Sequence, residues 1–214
     1  MKPIILFDLD GTLIDSTEAI LESFHHSLRA HGAKISVSDT MITSQIGHTL
    51  ETMFEGVGVE SHAVASHVAT YKLYYREISR QKTILLPNAI EAVREAASFA
   101  RLGIVTTKTG LYSRELMEHF GMMGYFEVLI GSEHVTHHKP HPEPILTALE
   151  QMGGAISSVW MIGDTRLDVE SSKRAGIECV AVTSGYDKEE QLLTLTDIIK
   201  PTALEAVKFI AQRG

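Results

Sequence analysis

The spacing of apolar residues changes character along the chain. Ile4-Ile5-Leu6-Phe7 is an unbroken apolar run, the pattern of a strand buried on both faces, and it stops abruptly at Asp8-Leu9-Asp10-Gly11. A helical period follows. Asp15 is placed to cap a helix, with Glu18 at the capping-box position, and Ile20, Leu21, Phe24 and Leu28 recur on one face up to a stop at Gly32. A short helix is expected from Asp39 to Ser44, another through Leu50, Met53 and Phe54, and a long one from Ser61 to about Ser79. In the long helix Val64, Val68, Tyr71, Tyr75 and Ile78 share a face. Residues 15–84 therefore read as helical throughout, with no strand.

From Pro87 the texture alternates. Strands are expected over residues 102–105, 128–130, 159–162, 178–182 and 198–199. Helices are expected over 89–99, 111–119, a stretch ending near 149, 168–175, 189–193 and 202–212. Alternating strands and helices mean right-handed βαβ units and a parallel sheet covered on both faces. The expected fold is α/β: a Rossmann-like, doubly wound parallel sheet core from residues 1–14 and 85–214, with a small helical domain, residues 15–84, inserted after the first strand.

Composition narrows the class. The 214 residues carry 19 Lys and Arg against 27 Asp and Glu, a formal charge of −8, so a nucleic-acid partner is not expected. The N-terminal apolar run is too short for a signal-peptide core, and no stretch approaches membrane-spanning length, so no membrane association and a cytoplasmic location are expected. The single cysteine, Cys179, sits in an apolar stretch with no charged helper and reads as a buried, inert thiol.

The chemistry is concentrated where strands end. Asp8 and Asp10 follow the first strand, Thr106 and Thr107 follow the strand at 102–105, Lys139 lies in the loop beyond 128–130, and Asp164 and Asp168 follow 159–162. In a parallel sheet these carboxyl ends share one edge, where such folds bind ligands. A hydroxyl and an ammonium group suit a phosphate, and clustered carboxylates call for a hard cation such as Mg²⁺.

These stretches, taken together, resemble the haloacid dehalogenase superfamily, in particular its phosphatases with a helical cap after the first strand. Asp8-Leu9-Asp10-Gly11-Thr12-Leu13, Ile104-Val105-Thr106, Lys139-Pro140-His141-Pro142 and Gly163-Asp164-Thr165-Arg166-Leu167-Asp168 match its four motifs in order. The resemblance implies Asp8 as nucleophile and metal ligand, and Asp10 as general acid and base with its backbone carbonyl on the metal. It implies Asp164 as a direct Mg²⁺ ligand, Asp168 as support through metal-bound water, and Thr106, Thr107 and Lys139 as phosphate-binding groups. It implies a small phosphorylated metabolite as substrate and an aspartyl-phosphate intermediate.

Because Asp10 is present, the resemblance favours phosphate-ester chemistry over the dehalogenase and phosphonate-cleaving branches. Pyrophosphatase, nucleotide phosphatase and sugar-phosphate mutase remain open, as does a non-enzymatic phosphoryl-ligand binding module. Ser44-Gln45-Ile46-Gly47-His48-Thr49-Leu50 is similar to the cap loop of phosphoglycolate phosphatases, which makes His48 a candidate specificity contact. Thr107 stands where many of those enzymes have Asn. Lys108 is expected at the rim of the site. His134, His137, His138 and His141 crowd one loop, but no second ligand cluster has zinc-like spacing, so a transition-metal site is not expected there and the neighbours of His141 are expected to be solvated. His25 and His26 are expected to be exposed.

Overall fold

The computed structural model describes residues 2–33, 35–153 and 158–213. The chain divides into two compact units, Met1–Ile14 with Leu85–Gly214, and Asp15–Ile84.

The first unit holds a six-stranded sheet built from β1(Ile4–Phe7), β4(Arg101–Val105), β5(Phe126–Ile130), β6(Val159–Gly163), β7(Glu178–Val182) and β8(Ile199–Lys200), in the order β5-β4-β1-β6-β7-β8. All five pairings are parallel, and β1 lies in the middle, with Ile4 to Phe7 opposite Arg101 to Ile104 on one side and Val159 to Ile162 on the other. The expected parallel α/β fold is thus the observed one.

Strand pleating explains the unbroken apolar run. Ile5 and Phe7 point to one face, where they pack with Leu102, Ile104 and Val180 against α5(Ala89–Phe99) and α10(Ala203–Ala211). Ile4 and Leu6 point to the other, with Val105, Val128 and Met161, under α7(Glu143–Met152) and α8(Arg166–Ala175). Both faces are dry, so every position of the strand must be apolar. Cys179 belongs to the second core, and burial pushes its thiol up to about 12, which fits the inert role expected of it. The sixth helix, α6(Gly110–His119), follows β4, and α9(Glu189–Leu193) precedes β8.

The second unit is helical: α1(Thr17–Ala30), α2(Asp39–Thr43), α3(Leu50–Gly56) and α4(Ser61–Lys82). Its core is aromatic. Phe24 stacks on Phe54 with ring centroids 4.2 Å apart, and Tyr71 meets Phe24 edge-on at 5.2 Å and stacks on Tyr75 at 5.5 Å. No helix among the described residues is long and apolar enough to cross a membrane.

Three local expectations need correction. Two-residue strands, β2(Ile14–Asp15) and β3(Ile84–Leu85), pair where the chain leaves and re-enters the sheet unit, so residues 15–84 are not strand-free at their ends. Asp15 is extended as a result, and Ser16 takes the N-cap position of α1. The Asp15 carboxylate accepts the Thr17 N–H at 2.9 Å, while Glu18 accepts from Lys82 at 2.7 Å instead of reaching back to the cap. His25 and His26 are half-buried: His25 lies 2.7 Å from Asp39, and His26 stacks on Tyr74 at 3.9 Å.

Candidate active site

The site begins where β1 stops. The Asp8 N–H still donates to the Ile162 carbonyl at 2.9 Å, so the sheet register carries the residue to the carboxyl edge. There the chain turns tightly. The Leu9 carbonyl accepts N–H groups from Thr12, Leu13 and Ile14, and Gly11 adopts φ +80°. A side chain at Gly11 would be strained by that φ and would also collide with the Asp164 carboxylate. Gly185, across the site, is pressed against the same carboxylate.

Asp8, Asp164 and Asp168 are all buried and offer oxygens within 4.8 Å of one another. Each is held differently. Asp164 accepts from Thr12 Oγ1 at 3.1 Å and from the Tyr186 N–H at 2.9 Å. Asp168 accepts from Lys139 Nζ at 2.5 Å through one oxygen, and from the Thr165 N–H and hydroxyl at 3.0 and 2.7 Å through the other. It occupies the third position of α8, with Thr165 as N-cap, because the helix begins at Arg166 and not at Asp168. Its described partners are therefore Lys139 and Thr165.

Lys139 is buried, with Nζ 3.2 Å from the Val105 carbonyl and 3.2 Å from Asp8 Oδ1. Burial works against its charge, but Asp168 and Asp8 more than offset that and hold its pKa above the ordinary lysine value. The approach to Asp8 Oδ1 is an electrostatic contact and not an aligned hydrogen bond, so that oxygen is buried without a hydrogen-bond partner. Asp8 is pushed up to about 7, first by burial and then by its acidic neighbours Asp168 and Asp10, against the pull of Lys139. Asp164 is likewise raised well above the ordinary carboxylate range, by burial and by Asp8 and Asp168.

Asp10 shares this edge, and Lys108 reaches it with Nζ 3.0 Å from Asp10 Oδ2. The Lys108 side chain is 9% exposed, so it belongs inside the site and not on its rim. One sequence signal pointed there: Lys108 follows Thr106 by two residues, the spacing that links Asp8 and Asp10. Thr106 is buried, accepts the Lys108 N–H at 3.3 Å and continues the sheet through its own N–H to the Ile130 carbonyl. Thr107 is half-buried beside it. Glu133 is a second residue the sequence did not reveal. Its carboxylate accepts the Gly110 and Leu111 N–H groups at 2.7 and 3.1 Å, which braces the start of α6 just beyond Lys108. His48 lies in the other unit, half-buried, in the turn between α2 and α3.

Among the described contacts at this edge, the carboxylates of Asp8, Asp10, Asp164 and Asp168 outnumber the ammonium groups of Lys108 and Lys139, a formal excess of negative charge. The orphaned Asp8 oxygen, that excess and the all-oxygen donor set fit a hard divalent cation.

A buried acid–lysine cluster at the carboxyl edge of a central parallel strand defines a catalytic α/β protein of group-transfer or hydrolytic type. The chain belongs to the haloacid dehalogenase-like hydrolase family, whose model matches residues 5–182. Among its relatives, the protein named "Probable phosphatase IndB" of Dickeya dadantii is 32% identical over 90% of this chain and 86% of its own. A phosphoglycolate phosphatase of Mesorhizobium japonicum is 34% identical, covering 86% of this chain and 84% of that one. A haloacid dehalogenase-like family hydrolase from Streptococcus pneumoniae superposes with TM-score 0.87 at 27% identity, over 97% of this chain and 98% of that structure.

Proposed function

We propose that this protein is a Mg²⁺-dependent phosphatase that hydrolyses a small phosphate monoester, 2-phosphoglycolate or a near analogue, through an aspartyl-phosphate on Asp8. The observation that carries the reading is the buried Oδ1 of Asp8, ion-paired with Lys139 but accepting no hydrogen bond, with Asp10 two residues on. The names of the relatives support the substrate class.

In this reading an Asp8 oxygen attacks phosphorus as the ester P–O bond breaks, and Asp10 protonates the departing alkoxide. Water then attacks phosphorus, Asp10 takes its proton, inorganic phosphate leaves, and the Asp8 carboxylate is restored. Lys139, Thr106 and Thr107 hold the phosphoryl oxygens through the transfer, and Asp168 keeps Lys139 aimed. Asp8, Asp164 and the Asp10 carbonyl would hold Mg²⁺, which supplies neutralising charge for the phosphoryl oxygens. Residues 15–84 act as a cap domain, and His48 supplies selectivity among small substrates.

The test is phosphate release, with and without Mg²⁺, across small phosphate esters, pyrophosphate, nucleotides and sugar phosphates. The reading expects Mg²⁺-dependent release with a small phosphorylated acid preferred. Preference for pyrophosphate would shift the substrate, return of an isomerised sugar phosphate without release would make the protein a mutase, and no turnover of any of them would leave a binding module.

A further inference from the structure

The loop that carries Lys139 holds four histidines, and the structure separates them into two pairs. His134 Nδ1 accepts the Gly131 N–H at 2.9 Å, and His138 donates through Nε2 to the Ser132 carbonyl at 3.0 Å; both serve the loop's own folding. His141 Nδ1 also takes a backbone N–H, that of Glu143 at 3.1 Å, but His137 and His141 differ from the first pair in sharing a carboxylate. Their rings lie 4.6 Å apart, both are exposed, and their Nδ1 atoms face the same oxygen of Glu143, at 2.7 and 3.9 Å.

Backbone groups and α8 anchor this trio. Glu143 is oriented by N–H groups of Thr136 at 2.8 Å and His137 at 3.0 Å. The His141 carbonyl accepts from Ser171 Oγ at 2.9 Å and the Pro140 carbonyl from Arg174 at 3.0 Å, which ties the loop to α8. Glu143 itself begins α7. One ring nitrogen from each histidine and one Glu143 oxygen fall within 4.8 Å of one another.

We propose that His137, His141 and Glu143 form a second cation site, for a borderline transition ion such as Zn²⁺, distinct from the carboxylate cluster around Asp8. Two imidazoles and one carboxylate are a donor set that zinc takes with a fourth position left to solvent, whereas the Asp8 cluster offers only oxygen. Ligands about 2.0–2.1 Å from a tetrahedral zinc stand roughly 3.3 Å apart, so the two nitrogen–oxygen separations need shifts of about 0.6 Å, and His141 Nδ1 must exchange the Glu143 N–H for the ion. The short sequence spacing, with ligands at positions 137, 141 and 143, brings all three donors from one anchored loop and the first turn of the helix it leads into.

The test uses Co²⁺ as a visible stand-in, added to the full-length protein in excess Mg²⁺ so that the oxygen-only site is filled. The parent should bind one equivalent with intense tetrahedral visible bands that Zn²⁺ abolishes. His137→Asn with His141→Asn should remove the bands and weaken Zn²⁺ binding by at least the roughly 10–100-fold that loss of even a supporting group costs. His138→Asn should behave as the parent. Should the double variant fold poorly, histidine nitrogen NMR of the parent decides: Zn²⁺ must shift the Nδ1 resonances of His137 and His141 and leave those of His134 and His138. Bands retained in a folded double variant, a parent with no saturable signal, or shifts at the other histidines would overturn the proposal.

Discussion

Both units bury polar side chains, and they treat them in opposite ways. In the helical unit, buried His67 is paired: Ser27 Oγ lies 3.0 Å from its Nδ1 and donates to its carbonyl at 2.9 Å. Burial, and then His31, lower its pKa, so the imidazole stays neutral inside an aromatic core. At the sheet edge of the larger unit, Asp8 and Asp164 are buried next to each other with their pKa values raised, and one oxygen of Asp8 has no hydrogen-bond partner. The first arrangement minimises its own free energy. The second does not, and chemistry is expected where a fold tolerates such strain.

Substitutions should divide along the same line. Asp10→Asn should slow phosphate release by roughly 10²–10⁴-fold, the usual cost of losing a general acid and base, with thermal stability little changed. Phe54→Ala should do the reverse, costing the helical unit about 3–5 kcal/mol in denaturant unfolding because its ring is fully buried against Phe24 and Tyr71. Lys108→Met falls between them. It removes the charged contact to Asp10, and loss of such a bond costs about 1.5–3 kcal/mol, so kcat/KM should fall roughly tenfold to a hundredfold.

Acidity should separate the two units in the metal-free protein. Asp8 binds its proton more tightly folded, near 7, than at its ordinary 3.8, so the sheet edge gains stability as pH falls through about 7 toward 4. His67 binds its proton less tightly folded than at its ordinary 6.5, so the helical unit loses stability as pH falls through that value. Opening free energies from amide exchange, corrected for the intrinsic base-catalysed rate, should therefore rise around β1 and β6 on acidification from about pH 8 to 5 and fall in α1 and α4. A common direction in both units would dissolve the contrast.

The backbone plan was legible because apolar period reports which face of an element is covered. Ile4 to Phe7 needs dry surfaces on both sides, and the 3.6-residue stripe through Val64, Val68, Tyr71 and Tyr75 needs one. Strand ends carry polar residues only where something holds them, so Asp8, Thr106, Lys139 and Asp164 stood out as candidates. Partners between those ends were not legible. Lys108 reaches Asp10 across 98 positions and Glu133 reaches Gly110 across 23, and period carries no information on which distant side chains meet. The start of α8 was misread for a related reason. Asp168 does cap α8, but from the third helical position: one carboxylate oxygen reaches back to the Thr165 N–H while the other takes Lys139, and the helix begins two residues earlier.

In the proposed reaction the negative charge gathered around Asp8 is kept for catalysis at a cost to the metal-free fold. Thermal unfolding of the parent and of Asp8→Asn at pH 8, each with and without Mg²⁺, tests it most directly. Without Mg²⁺ the Asp8→Asn protein should melt above the parent, because a buried, mutually repelling carboxylate has become neutral. Mg²⁺ should raise the Tm of the parent by much more than it raises that of Asp8→Asn, since ligand binding to the folded state stabilises it. An Asp8→Asn protein that melts below the parent in the absence of metal, and gains as much from Mg²⁺, would contradict the account.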